Sequence, residues 1–342
     1  MRKMTVHLSA MLLIFCFAAQ TAPAQTQQPL TRVTVSLGDV SLNKLIFAVA
    51  QDAGIYKKNG LEVEQYITSG AATRAGRSGV NIPRDRIGSG EGGGANFSIG
   101  GGAPLMVGRV TDAMAGDRVI LASTDHIVRW HIVAQPEITR IEQLKGKKLG
   151  YSGFGAMTHF EALAFAQQMG WDPDQDLALM ENALALDTFR DRTVDAFVAD
   201  ELVYTMAVAG GYKELVDLSR YNIPIPGSGV NASKRWIAQN PDIVRRFLRS
   251  TVEAIAMLKQ DKEVVLKAIS RWYGINDREQ QDFLYRDFSK LPRKPYPNVS
   301  GIKKTMELYD TLGMRMHQPE DFYDDSFIKE LDQSGYIDSL YK

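Results

Sequence analysis

The chain has 342 residues, with 40 lysines and arginines set against 40 aspartates and glutamates, and a single cysteine. That charge balance removes the electrostatic reason to expect nucleic acid or an anionic membrane as a partner. One cysteine excludes an internal disulfide framework.

The first segment sets the compartment. Arg2 and Lys3 precede an apolar run over residues 8–19, and Ala22, Pro23 and Ala24 follow with small residues where a signal peptidase reads. This order predicts a secretory signal peptide over residues 1–24, with the exported chain starting at Gln25 in the periplasm. The run is shorter than the roughly 20 residues a bilayer span needs. Phe15 is too bulky to precede a lipid-modified Cys16, so a soluble mature protein without cysteine is expected. Its 318 residues suffice for two units with cores of their own.

Residues 32–37 alternate apolar and polar and read as a strand. Leu42, Leu45, Ile46, Val49 and Ala50 fall on one face of a helix over 42–53, which Gly54 stops. Leu61, Val63, Gln65 and Ile67 mark a second strand, completing a βαβ unit. Residues 70–102 are loaded with Gly, Arg and Ser, interrupted by a strand-like Phe97, Ser98 and Ile99. Further strands are expected at 119–122, 130–134, 148–151, 194–198 and 214–218, with helices after residue 156 and over 202–209. From Pro241 the period becomes helical, through Val244, Phe247, Leu248, Ile255 and Leu258, then Val264, Val265, Ala268, Ile269 and Trp272. The alternation of strand and helix argues an α/β class built on doubly wound sheets.

At residues 43–64, NKLIFAVAQDAGIYKKNGLEVE, the chain resembles the opening of the NMT1-like group of periplasmic substrate-binding proteins, which serve ABC importers of nitrate, sulfonate, taurine and thiamine precursors. IEQLKGKKLG at 141–150, TVDAF at 193–197 and PDIV at 241–244 are similar to later segments of that family, in the same order. The resemblance implies a two-lobed type II periplasmic-binding-protein fold, each lobe a doubly wound sheet flanked by helices. Residues 25–124 and 225–342 would form the first lobe and 125–224 the second. It implies capture of a small polar or anionic organic solute in the cleft between lobes and delivery to an ABC transporter permease. The membrane would be met only through that permease, and a monomer suits such a shuttle. A sensory module for a membrane receptor is the alternative. A thiamine-pyrimidine synthase is disfavoured, because such relatives use a cysteine-rich motif.

The turn after the strand at 148–151 is the leading site candidate. Tyr151, Ser152, Phe154, Met157 and Thr158 lie where a strand feeds a helix, and a helix N-terminus can hold an electron-rich group. A Thr158–Glu161 capping box is the plainer reading of the same residues. Ser41 and Asn43 occupy the matching turn of the first unit, as helix cap or solute contact. Gly100 and Gly101 permit close backbone approach. Ser123 would face the turn from the first lobe, and Asp200 or Glu201 would suit an amine or hydroxyl, so a zwitterion is as good a solute as an anion. The GSGEGG at 88–93 matches a dinucleotide fingerprint in letters but follows no strand. His126, His131, His159 and His317 lack ligand spacing. No catalytic residue, metal or cofactor is therefore expected.

Overall fold

The computed structural model describes residues 29–88, 94–111, 116–183, 185–288 and 290–342. Residues 1–24, the segment expected to be a signal peptide, and residues 89–93 of the glycine motif lie outside these.

The strands are β1 (Thr31–Leu37), β2 (Leu61–Ile67), β3 (Phe97–Gly101), β4 (Arg118–Ser123), β5 (His131–Ala134), β6 (Lys148–Gly150), β7 (Ala178–Met180), β8 (Ala196–Ala199), β9 (Lys213–Asp217) and β10 (Ser228–Ser233). They form two five-stranded sheets, ordered β2-β1-β3-β10-β4 and β7-β6-β8-β5-β9. In the first, β1 pairs in parallel with β2 and β3, and β10 runs antiparallel to β3 and β4. The second repeats this, with β6 parallel to β7 and β8, and β5 antiparallel to β8 and β9. In each sheet the antiparallel strand is the first one reached after the chain arrives from the other sheet.

Both crossings run side by side. Val128 N–H donates to Ile223 O at 2.9 Å and Ile225 N–H to His126 O at 3.1 Å. This short ladder joins the sheets through two backbones.

The helices that matter here are α1 (Leu45–Asp52), α2 (Ile55–Lys58), α3 (Ser69–Arg77), α4 (Gly102–Thr111), α5 (Met157–Gln168), α6 (Leu186–Arg190), α7 (Glu201–Ala209), α8 (Lys234–Gln239), α9 (Pro241–Gln260), α10 (Lys262–Tyr273), α11 (Arg278–Phe288) and α12 (Val299–Leu308). Pro241 opens α9 at a position whose missing N–H costs nothing, and Val244, Phe247, Leu248, Val252, Ile255 and Leu258 bury its inner face. Phe247 stacks on Phe97 of β3 at 4.0 Å between ring centroids, and Trp236 meets Phe97 edge-on at 5.1 Å. Burial of each such ring contributes about 1.5–3 kcal/mol. This cluster pins the C-terminal helices to the first sheet.

Four stretches differ from, or add to, the pattern expected from sequence. The expected helix over 42–53 begins as a tight 3₁₀ turn, Leu42–Lys44, before α1. The Gly/Arg-rich stretch contains α3, because the Thr68 hydroxyl accepts from Ala71 N–H and supplies the cap its composition lacks. The glycines after Ile99 end β3 and open α4. Strand β10 carried no expectation, since Gly229 and Asn231 interrupt its apolar alternation.

Candidate functional site

The site is built where strands end. The C-terminal ends of β1 and β3 bring Gly38, Asp39, Gly100 and Gly101 to one wall, and the turn after β6 brings Ser152, Phe154 and Gly155 to the other. Asp200, at the end of β8, joins them, with Met157 and Thr158 of α5 and Arg74 of α3. Together they enclose a cavity of about 400 Å³ between the two sheets. Strand ends at a reversal of strand order are where open α/β sheets leave a crevice.

Close approach across this cleft explains two glycines. A Cβ on Gly101 would lie 2.4 Å from Met157 Cγ. Gly155 has φ +75°, a left-handed conformation, and a Cβ there would come within 2.7 Å of Val107 on α4. Further along, Arg77 of α3 makes a two-pronged pair with Asp187 of α6, Nε to Oδ2 at 2.7 Å and Nη2 to Oδ1 at 3.1 Å. That pair links the helices of one sheet to those of the other.

Below the main cavity lies an inner space of about 20 Å³, which shares Asp39, Trp130 and Met157 with it. Ser41, Asn43, Lys44, Asp125, Arg129, Glu161 and Ser228 line it and are buried, beside Ile127, Trp130, Met157 and Ile225. Lys44 is 1% exposed, pairs with Asp39 Oδ2 at 2.8 Å, and donates to Asn43 Oδ1 at 3.0 Å and to the hydroxyls of Ser41 and Ser228. Asn43 gives its amide N–H to Asp125. Arg129 pairs with Asp125 and reaches Glu201 Oε1 at 3.8 Å.

Charge shapes the titration of this interior. Burial alone would push the Asp39 carboxyl up, but Lys44 and the Ser41 hydrogen bonds outweigh it and hold it below the usual carboxylate range. Burial pushes Asp200 up to about 6, although its carboxylate caps α7 by accepting from Val203 N–H at 2.9 Å. Glu161 is 1% exposed, and its Oε2 has no hydrogen-bond partner. Burial first, then the neighbouring Glu201, Asp200 and Asp125, raise its carboxyl well above the usual range.

Of the residues chosen from sequence, Gly100, Gly101, Ser152, Phe154, Met157, Thr158 and Asp200 line the outer cavity. Ser41, Asn43 and Met157 line the inner one. Three do not reach either. Tyr151 stacks on His159 at 4.7 Å, with its N–H on Met180 O. Ser123 is fully buried and donates to Pro226 O at 2.7 Å. Glu201 sits behind Arg129. The capping box does not form: Thr158 Oγ1 accepts from Ser152 N–H at 2.9 Å, Ala156 stands at the α5 N-cap, and Glu161 points into the cleft interior.

Sequence reasoning passed over Lys44, Asp125, Arg129 and Glu161 as site residues. A signal existed for two of them. Lys44 is the sole base in 42–53, and Glu161 the sole acid in α5, each within an apolar run. A lone charge on a buried face demands a partner.

The histidines are spread through the structure. His131 Nδ1 meets Glu214 at 2.7 Å, His159 Nδ1 lies 3.0 Å from the Tyr309 hydroxyl, and His126 Nε2 lies 3.0 Å from Tyr296 O. Among the described residues no three His, Cys, Asp or Glu gather as metal ligands.

Comparison with known proteins follows the same lines. Residues 118–263 match the NMT1/THI5-like family model. The periplasmic nitrate-binding protein NrtA of Synechocystis superposes with a TM-score of 0.70 at 14% identity, covering 92% of this chain and 91% of that one. The chain carries the periplasmic-binding-protein fold. The alkanesulfonate-binding protein SsuA of Xanthomonas axonopodis, bound to MOPS, shares that fold with a TM-score of 0.63 at 13% identity, over 85% and 96% of the two chains. So does the desulfurization enzyme DszB, with a TM-score of 0.58 at 15% identity, over 89% and 99%. The periplasmic-binding-protein fold therefore carries binding in some of these structures and catalysis in another. None of the curated proteins compared with the chain matches it in sequence. Among the described residues no helix is long and apolar enough to cross a membrane.

Proposed function

We propose that this chain is a periplasmic solute-binding protein that captures a small polar organic molecule in the cleft and delivers it to an ABC importer. The observation that carries this reading is the 400 Å³ cavity at the strand ends of both sheets, beside two crossings paired antiparallel. Cavities of that size suit a small ligand, and two backbone connections suit hinge closure, a motion such proteins use. Residues 25–124 with 225–342 would move as one lobe and 125–224 as the other. Residues 1–24 would direct export and be removed. The partner is then the importer's permease, reached by a monomer.

The reading is binding without chemistry. Cys16, the chain's one cysteine, lies in the segment assigned to export, and Lys44, Asp39 and Ser41 hold one another. The matched NMT1/THI5-like model and the nitrate- and sulfonate-binding structures support the same assignment.

The test combines native mass spectrometry with small-angle scattering on protein purified from its own periplasm. A retained small molecule of defined mass is expected, and the radius of gyration should grow when it is dialysed away. A tightly bound solute whose removal leaves the radius unchanged refutes the two-lobe mechanism.

A further inference from the structure

We infer that the solute presents a protonated nitrogen, as an amine or amidine, to Glu161 at the inner end of the cleft. This rests on the solute-binding reading above and names the chemical class that the site takes.

The inner space of about 20 Å³ holds one group of water or ammonium size, and it opens beside the larger cavity that would take the rest of the molecule. Its two bases are already engaged, Lys44 by Asp39, Asn43, Ser41 and Ser228, and Arg129 by Asp125 and Glu201. What the walls leave over is acceptor capacity. Glu161 Oε2 is buried without a partner, and Asp200 lines the adjoining cavity. A buried polar atom without a partner is costly, and a donor on the ligand relieves that cost.

The balance of charge points the same way. Asp39, Asp125, Glu161 and Asp200 face Lys44 and Arg129 in this interior, with Glu201 behind Arg129, while Arg74 stands exposed at the mouth with its guanidinium 3.4 Å from Gly38 O. An oxyanion pushed to the inner end would meet carboxylates with no uncommitted base among the groups just named. A cation meets Glu161 directly, and an anionic tail, if the ligand has one, remains near Arg74. In the empty protein burial and the neighbouring carboxylates favour the protonated form of Glu161. Arrival of the ligand cation releases that proton to solvent and leaves a carboxylate–ammonium pair. The groups facing Glu161 are Asp125 and Arg129 from the first crossing, Asp200 and Glu201 at the start of α7, and Asp39 and Lys44 from the turn after β1.

Titration calorimetry on the ligand-stripped full mature chain tests this, with butylamine, putrescine and benzamidine as cations and nitrate and methanesulfonate as anions. Each runs at pH 7 in two buffers of different ionisation enthalpy. At least one cation should bind with a buffer-dependent heat showing proton release, and both anions should be silent. Glu161→Gln, which keeps shape and removes a charge from a carboxylate cluster, should weaken that cation tenfold or more and abolish the proton release. Saturable anion binding with silent cations overturns the inference and leaves the solute-binding reading standing. Equal cation affinity in Glu161→Gln also overturns it. Silence from all five probes, with no compaction in scattering, overturns both.

Discussion

Replacing Lys44 by methionine isolates the buried network under the cleft. Methionine fills the space of the lysine stem, so the change removes charge and hydrogen bonds without opening a large void. The loss falls on Asp39 Oδ2 at 2.8 Å, Asn43 Oδ1 at 3.0 Å, Ser41 Oγ at 3.3 Å and the Ser228 hydroxyl. Breaking one side of a buried ion pair costs about 3–5 kcal/mol. The Asp39 side chain is 36% exposed, so water recovers part of that, and roughly 2–4 kcal/mol of lost stability is expected. The pH dependence follows from the lowered Asp39 carboxyl. A carboxyl whose folded pKa lies below its unfolded value adds stability that is present above that unfolded value, near 3.8. It is lost as pH falls through the folded value. The gap between wild type and Lys44→Met should therefore be full at pH 7 and shrink below about pH 4. Urea unfolding followed by circular dichroism at pH 7 and at pH 3.5 measures both. A difference at pH 7 under about 1 kcal/mol, or one that does not shrink in acid, refutes the idea that Lys44 and Asp39 act as a buried pair.

Three further outcomes are expected. Glu161→Gln should make the ligand-free protein more stable than wild type at pH 8 and equal near pH 4, since a raised carboxyl contributes stability only below its unfolded pKa and loses it as pH rises. Chemical denaturation across that range checks it. Gly101→Val should hold the cleft open through collision with Met157, giving a larger radius of gyration in scattering under saturating ligand. Arg77→Ala and Asp187→Ala should each weaken solute affinity by no more than a few-fold, because both side chains are about 40% exposed and such pairs contribute about 0–1 kcal/mol. A double-mutant cycle should show that their effects do not add.

Much of the fold was legible because its signals are local. The alternation in β1 and β2, the stop at Gly54 and the Pro241 start of α9 are each set within a few residues. What escaped depends on distant partners. β10 is a strand because β3 and β4, more than a hundred residues earlier in the chain, flank it. The site divides in the same way. Gly101, Phe154 and Thr158 followed from where strands end, whereas Lys44, Asp125 and Arg129 form one network only when residues 39–44, 125–129 and 228 meet. Tyr151 lines neither cavity and stacks instead on His159, in the first turn of α5.

The exchanged strands have a consequence for synthesis. Until residues 228–233 exist, β3 and β4 stand apart, each with a bare edge where β10 belongs. More than a hundred residues separate β4 from that strand, so the sheet that starts first is among the last to close. A nascent or truncated chain ending before residue 228 would expose two hydrogen-bonding edges flanked by Ile99, Val119 and Leu121, a template for pairing between chains. Such fragments should aggregate, and the full chain should acquire protection from hydrogen exchange in β3, β4 and β10 in a single late step.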